Sequence, residues 1–140
     1  MEDLKTLTIL FRTLKSIEIQ IRDDIKRYGL NTTEFGVLEV LYHKGPLTIQ
    51  EVKEKILIAA SSMSYVIDTL VRKGFVERVQ HDKDKRSYIL VLTDSGAKKM
   101  EDIYPLHVST MRQRLDVLKK DEKTLQVLLK KIGKYQKRPH

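Results

Sequence analysis

The chain has 140 residues, 41% of them apolar and 33% charged, with a formal net charge of +8 and a pI of about 9.6. That length suits one compact domain, or a small domain with added dimerising helices, and the modest apolar share favours burying further surface against a second copy. With no cysteine, disulfides, zinc–thiolate sites and cysteine nucleophiles are excluded, and no apolar run reaches the ~18 residues that cross a bilayer.

The first residues, MEDLKTLTILFRTLK, lack the basic start and apolar core of a signal peptide, so a cytoplasmic protein is expected. Leu4, Leu7, Leu10, Phe11, Leu14, Ile17, Ile21 and Ile25 recur at three- and four-residue steps, the stripe of one amphipathic helix over residues 3–27. Tyr28-Gly29 ends it. A helix of this length leaves much apolar surface for a partner chain. Asn31 and Glu34 have capping-box spacing, and Phe35, Leu38, Leu41 and Tyr42 line one face of a second helix that Gly45-Pro46 stops. Thr48 and Glu51 repeat the box before a short third helix with Ile49, Val52 and Ile56. Residues 58–60 form a tight connector.

Ser61 or Ser62 caps the fourth helix, which buries Met63, Val66, Ile67, Leu70 and Val71 and turns Ser62, Tyr65, Asp68, Thr69 and Arg72 to the other side. Gly74 ends it. Two helices around a short connector, the second opening with small hydroxyl residues, read as a helix-turn-helix. Residues 75–80 and 87–92 are β-rich runs around the charged tip His81-Asp82-Lys83-Asp84-Lys85-Arg86, a hairpin wing. Thr93 or Asp94 caps a long fifth helix with Ala97, Met100, Ile103 and Tyr104 inward, and Pro105 should bend it. The stripe resumes at Val108, Met111, Leu115 and Leu118. Asp121 caps a sixth helix carrying Leu125, Leu128, Leu129 and Ile132.

The expected fold is mainly α with a small β-hairpin. A winged helix-turn-helix spans residues 31–93, and helical dimerisation regions occupy 1–30 and 94–140. The basic balance fits a polyanion partner, because each Lys or Arg on a phosphate releases counterions; a merely soluble basic surface is the plainer alternative. No Gly-rich phosphate loop, G-x-S-x-G, H-E-x-x-H or paired acid/base constellation is visible, so no enzyme is expected. His43 and His107 lack metal-ligand spacing and His81 and His140 are isolated, so neither metal nor cofactor is expected.

Asp84-Lys85-Arg86, the strand Ser87 to Val91, then Leu92-Thr93 and Gly96 resemble the wing signature of the MarR (multiple antibiotic resistance regulator) family. Ser61-Ser62-Met63-Ser64, Asp68, Leu70, Lys73-Gly74-Phe75-Val76 and Arg78 look like its recognition helix running into the first wing strand. The chain departs from the family pattern at Tyr65, where Arg is common, so its base-reading pattern differs. The runs ILIAASSMSYVID, YPLHVST and LLKKIGK look most like the family's repressors of quinone and catechol detoxification genes. The resemblance implies a homodimer on a pseudo-palindromic operator in double-stranded DNA, released by a small phenolic or aromatic ligand.

The residue chemistry agrees with the first half of that expectation. A helix start offers free N–H groups and the positive end of the dipole to phosphate or base acceptors. Ser61, Ser62 and Ser64 allow close approach, with one of them spent on capping. The Tyr65 ring suits a thymine methyl, or packs on a neighbouring helix. Arg86 is expected in a narrow minor groove, held by Asp84, unless the two form only a hairpin-internal pair. Lys83 and Lys85 reach flanking phosphates or stay solvated. Gln50, at the opening of the third helix, is in reach of the DNA backbone, and Arg72, Lys73 and Arg78 are weaker phosphate candidates. For the implied ligand, candidate walls are Ile17, Ile21, Phe35, Leu38, Tyr42, Tyr104 and His107; plain core is the simpler role for most of them. The different-class alternative is a winged-helix RNA-binding or protein-interaction module.

Overall fold

The structure, a computed structural model, describes residues 2–57, 62–81 and 84–136, and for residues 2, 81 and 84–87 the backbone alone. The chain forms two compact units, residues 1–107 and 108–140.

In the first unit, a short 3-10 turn (Glu2–Leu4) leads into helix α1 (Lys5–Lys26). Only its last turns bury side chains, Asp24 and Ile25; Leu7, Phe11 and Leu14 stay exposed, Phe11 at 72%. The expected apolar stripe is present, and Leu4, Leu7, Phe11 and Leu14 in its first half are uncovered in the single chain. Helix α2 (Thr32–Lys44) starts at a complete capping box: Glu34 N–H donates to Asn31 Oδ1 at 2.8 Å, and Asn31 N–H donates to Glu34 Oε1 at 2.9 Å. This helix is the centre of the core. It buries Thr33, Glu34, Phe35, Val37, Leu38 and Leu41, which is more than the single face its spacing suggested. The reason is that α1, helix α3 (Ile49–Lys55), helix α4 (Met63–Arg72) and the sheet all pack on it. The α3 capping box is also complete, with Thr48 and Glu51 bonded both ways at 3.1 Å. Those bonds hold the Glu51 carboxyl below its usual range.

The sheet has three antiparallel strands, one more than the expected hairpin. Strand β1 (Leu47–Thr48) pairs with β3 (Asp84–Leu92), which pairs in turn with β2 (Val76–His81). Leu47 faces Leu90, Val76 faces Leu92 and Gln80 faces Tyr88. The ladder shifts register between Gln80 and His81, and His81 pairs with Asp84. The tip is therefore shorter than the expected six-residue segment: Asp84, Lys85 and Arg86 belong to the strand backbone. The inward side chains Val76 and Leu90 join Ile25, Leu38, Val52, Ile67, Leu70 and Met100 in one apolar cluster.

Helix α5 (Asp94–Leu115) is capped by Thr93, whose Oγ1 accepts from Gly96 N–H at 3.0 Å. It continues through Pro105 as one helix and ends at Leu115, short of the expected Leu118. In the second unit, a 3-10 segment (Asp116–Asp121) follows, with helical geometry broken at Lys119 (φ 50°), and then helix α6 (Glu122–Gly133). Arg112 ties this turn together, donating to Glu122 Oε1 and to Asp116 Oδ1, both at 2.6 Å. The same bonds to Arg112 hold the Glu122 carboxyl low. Asp121 stands at the N-cap position of α6 but makes no side-chain capping bond, contrary to expectation; its own backbone is still helical (ψ −3°), so the side chain is not aimed at the first turn. Leu125, Leu128, Leu129 and Ile132 are exposed, a second uncovered apolar stripe.

Candidate nucleic-acid interface

Helix α4 divides its residues cleanly. Met63, Val66, Ile67 and Leu70 are buried, at the three- and four-residue steps that set one face of a helix inward. Ser62, Ser64, Tyr65, Asp68 and Arg72 are exposed on the other, Tyr65 at 64%. Ser62 occupies the N-cap position, yet its side chain makes no capping bond. Its hydroxyl is therefore not spent on capping the helix. This corrects the expectation of a serine cap for the described Ser62; Ser61, the other candidate, lies outside the described residues.

The exposed face is ordered by bonds along its own helix. Thr69 Oγ1 donates to the Tyr65 carbonyl at 3.0 Å and accepts from Arg72 at 3.1 Å, so Arg72 is aimed from within α4. Asp68 pairs with Arg78 on β2, fixing the helix against the first wing strand. Arg78, a weaker phosphate candidate from its position, is committed to that carboxylate. Lys73 is committed as well, to Glu34 at 2.8 Å. Neither pairing was expected. Asp68 and Arg78 are 10 residues apart across a turn, and Lys73 and Glu34 are 39 apart, beyond any local spacing rule. Gln50 opens α3 on the surface, its amide bonded to Glu54 at 3.3 Å. Lys83 lies outside the described residues, as do the side chains of Asp84, Lys85 and Arg86, whose backbone the structure places in β3.

The turn after α4 is gripped by the start of α5. Gly74 takes a left-handed conformation (φ 80°). Thr93 Oγ1 donates to the Gly74 carbonyl at 2.6 Å, and Thr93 N–H donates to the Phe75 carbonyl at 3.1 Å. Gly96 packs on that same carbonyl so closely that a Cβ would overlap its oxygen and stand 3.0 Å from its carbon. The Leu92-Thr93-x-x-Gly96 pattern thus has a physical role: it locks the end of α4 and the second wing strand to α5.

The expected ligand walls separate into two groups. Ile21, Phe35 and His107 come together around a cavity of about 220 Å³, with Thr32, Glu39 and Lys55 at its polar edge. Ile17, Leu38, Tyr42 and Tyr104 are not brought there. Leu38 is fully enclosed in the core, and Ile17 is half-buried on α1. Tyr42 and Tyr104 form an aromatic cluster with His43, whose ring meets Tyr104 edge-on at 4.8 Å. Burial, with Glu39 and Tyr42 nearby, pushes the Tyr104 hydroxyl above its ordinary pKa. At the cavity floor the His107 ring lies 4.8 Å from Phe35, and its Nδ1 is 2.7 Å from Asp24 Oδ2. Burial alone would raise the Asp24 carboxyl, but the bonds from His107 and Arg27 and the Arg27 charge outweigh it and hold it low. Among the described residues, no group of three or more His, Asp or Glu could hold a metal ion.

A helix pair whose second member shows a polar face, followed by a hairpin whose base is locked to the next helix, defines a winged helix-turn-helix fold. Residues 30–88 match the model of the MarR family. The chain is 35% identical to the HTH-type transcriptional regulator MhqR of Bacillus subtilis (strain 168), across 99% of this chain and 97% of that one. It is 41% identical over 126 residues to YkoM, another HTH-type transcriptional regulator of the same organism, covering 89% of this chain and 82% of that one. A crystal structure of a cysteine-to-serine mutant of MarR from E. coli, complexed with operator DNA, superposes with a TM-score of 0.80 at 25% identity, covering 94% of this chain and 95% of that one. The chain belongs to the MarR family of transcriptional regulators.

Proposed function

We propose that the chain acts as a cytoplasmic homodimeric repressor that binds a pseudo-palindromic operator in duplex DNA and is released by a small phenolic or aromatic ligand. The observation that carries this reading is the α4 face: Ser62, Ser64, Tyr65 and Arg72 exposed together, with no capping bond from Ser62 at the first turn. Ser61, Ser62, Ser64 and Tyr65 read the major groove, while Arg72 and Gln50 meet the backbone. Arg86 enters the minor groove beside Asp84, with Lys83 and Lys85 on flanking phosphates. Residues 31–93 form the DNA-reading domain, and 1–30 and 94–140 the dimerisation regions. The uncovered Leu7, Phe11 and Leu14 on α1 and Leu128 and Ile132 on α6 supply apolar surface for a second copy. The chain has no enzymatic role in this account; the relatives it matches are regulators.

The ligand half rests on the cavity. An apolar cavity of ~150 Å³ accepts a benzene ring, so the space between Ile21, Phe35 and His107 accommodates one substituted ring. A ligand there releases DNA only by favouring a dimer shape with the wrong recognition-helix spacing.

The test is titration of mixed-sequence duplex DNA and of single-stranded RNA over a range of salt. With roughly 6–10 phosphate contacts, duplex affinity falls about 10³–10⁵-fold from about 50 to 200 mM salt. A slope near zero, or preference for RNA, contradicts the proposal and favours an RNA-binding or protein-interaction module.

A further inference from the structure

We propose that Glu34 and Lys73 are positioning residues that set the angle of the recognition helix from its far end, and so set operator affinity without touching DNA. The proposal rests on the DNA-binding reading above. By location, Lys73 looks like a phosphate contact, since it directly follows α4 in a basic protein. Its ammonium points elsewhere. It donates to Glu34 Oε2 at 2.8 Å and to the Gly29 carbonyl oxygen at 3.2 Å, which commits two of its three N–H groups. Glu34 is buried, and its other oxygen closes the α2 capping box with Asn31 N–H. One carboxylate therefore joins the turn after α1, the first turn of α2 and the end of α4.

The opposite side of the same turn is held by Thr93 and Gly96, as described above. At the start of α4, by contrast, Ser62 makes no side-chain capping bond. Met63, Val66, Ile67 and Leu70 seat the helix on the core and Asp68 ties it to β2, and the bonds at its C-terminal end set its angle on that seat. At 1.5 Å per residue the α4 start is about 15 Å from Lys73. A tilt of ~5° at the anchor moves Ser64 by about 1 Å, enough to misplace a direct hydrogen bond.

The charge change gives opposite signs to the two explanations. Glu34→Gln removes a negative charge from a protein that binds a polyanion, so electrostatics alone predicts tighter binding. Loss of positioning predicts weaker binding. Gln keeps a carbonyl oxygen for Asn31 N–H, so the capping box survives. The experiment uses the full chain and a duplex that the wild-type protein enriches from a random library, with a scrambled duplex beside it. Wild type, Glu34→Gln, Lys73→Gln and the double variant are titrated at several salt concentrations.

Positioning predicts that each single change weakens the enriched duplex by roughly 3- to 30-fold. The salt slope stays unchanged, Glu34→Gln binds the scrambled duplex like wild type, and the double variant is no weaker than the weaker single one. Glu34→Gln binding the enriched duplex as well as or better than wild type overturns the proposal. So does a Lys73→Gln slope reduced by about one contact. If Glu34→Gln fails to fold, Lys73→Gln decides alone: weaker binding at constant slope supports positioning, and a reduced slope refutes it. If the wild-type protein enriches no sequence, the DNA-binding reading itself fails, and the proposal with it.

Discussion

Replacing Gly96 by alanine tests the clamp that joins α5 to the end of the recognition helix. In an ordinary helix this change is favourable, by about 1 kcal/mol of helix propensity. Here the added methyl would overlap the Phe75 carbonyl oxygen, stand 3.0 Å from its carbon and 3.2 Å from Leu92 Cδ2. The obstacle is backbone, which has no rotamer to change. Relief requires the Phe75 carbonyl and α5 to separate by roughly 1 Å. The same carbonyl accepts from Thr93 N–H at 3.1 Å, so separation also breaks a bond at the helix cap. Overpacking costs about 1–3 kcal/mol and the lost hydrogen bond about 0.5–1.5 kcal/mol. Set against the propensity gain, the net loss is roughly 0.5–3.5 kcal/mol. For a chain of this size that lowers the unfolding midpoint by about 2–14 °C. Circular dichroism melts at one fixed protein concentration measure it. Gly133→Ala is the internal control: it ends α6, nothing stands within 4 Å of where its Cβ would lie, and the same substitution should leave stability equal or raised. A Gly96→Ala protein as stable as wild type would refute the clamp.

Three further outcomes follow from the described contacts. Tyr65→Ala should weaken an enriched duplex by about 1–3 kcal/mol while leaving scrambled-duplex binding near wild type, measured by fluorescence anisotropy; equal losses on both would remove Tyr65 from base reading. Asp24→Asn places an amide where Arg27 and His107 now meet a carboxylate, and should cost roughly 1–3 kcal/mol at neutral pH in urea unfolding. Because the folded Asp24 carboxyl titrates below its unfolded value, that advantage is full above about pH 4 and is lost as pH falls through the folded pKa. The wild-type-to-variant gap should therefore narrow below about pH 4; a constant gap contradicts the assigned bonds. A panel of phenols and quinones should include a compound that raises the melting temperature and weakens duplex binding, and Phe35→Ala should abolish both effects; no response across the panel argues for a ligand-free repressor.

How far the sequence anticipated this structure depended on the range of each interaction. Both capping boxes, Asn31 with Glu34 and Thr48 with Glu51, were legible because their partners are three residues apart. The buried stripe of α4 was legible because periodicity alone defines it. Strand β1 was not: two residues have no period, and its identity comes only from pairing with β3. Val37 and Thr33 were missed as core because α2 is covered on several sides, which a one-face rule does not anticipate. Ser62 and Asp121 hold cap positions without capping bonds, since residue type alone does not fix side-chain direction. In the candidate site, the exposed α4 face was legible, whereas the pairs that steady it were not. Lys73 with Glu34 and Asp24 with His107 join residues 39 and 83 positions apart. Only the fold brings them together.

The central claim is that two copies of the α4 face read one duplex. Enrichment of random double-stranded DNA by the full-length protein, followed by sequencing, tests it most directly. The account predicts an inverted repeat with half-site centres about 10–10.5 base pairs apart, or a multiple of that, matching recognition helices about 34–36 Å apart in a two-fold dimer. Enrichment of no sequence, or of a single unrepeated site bound by one chain, would contradict it.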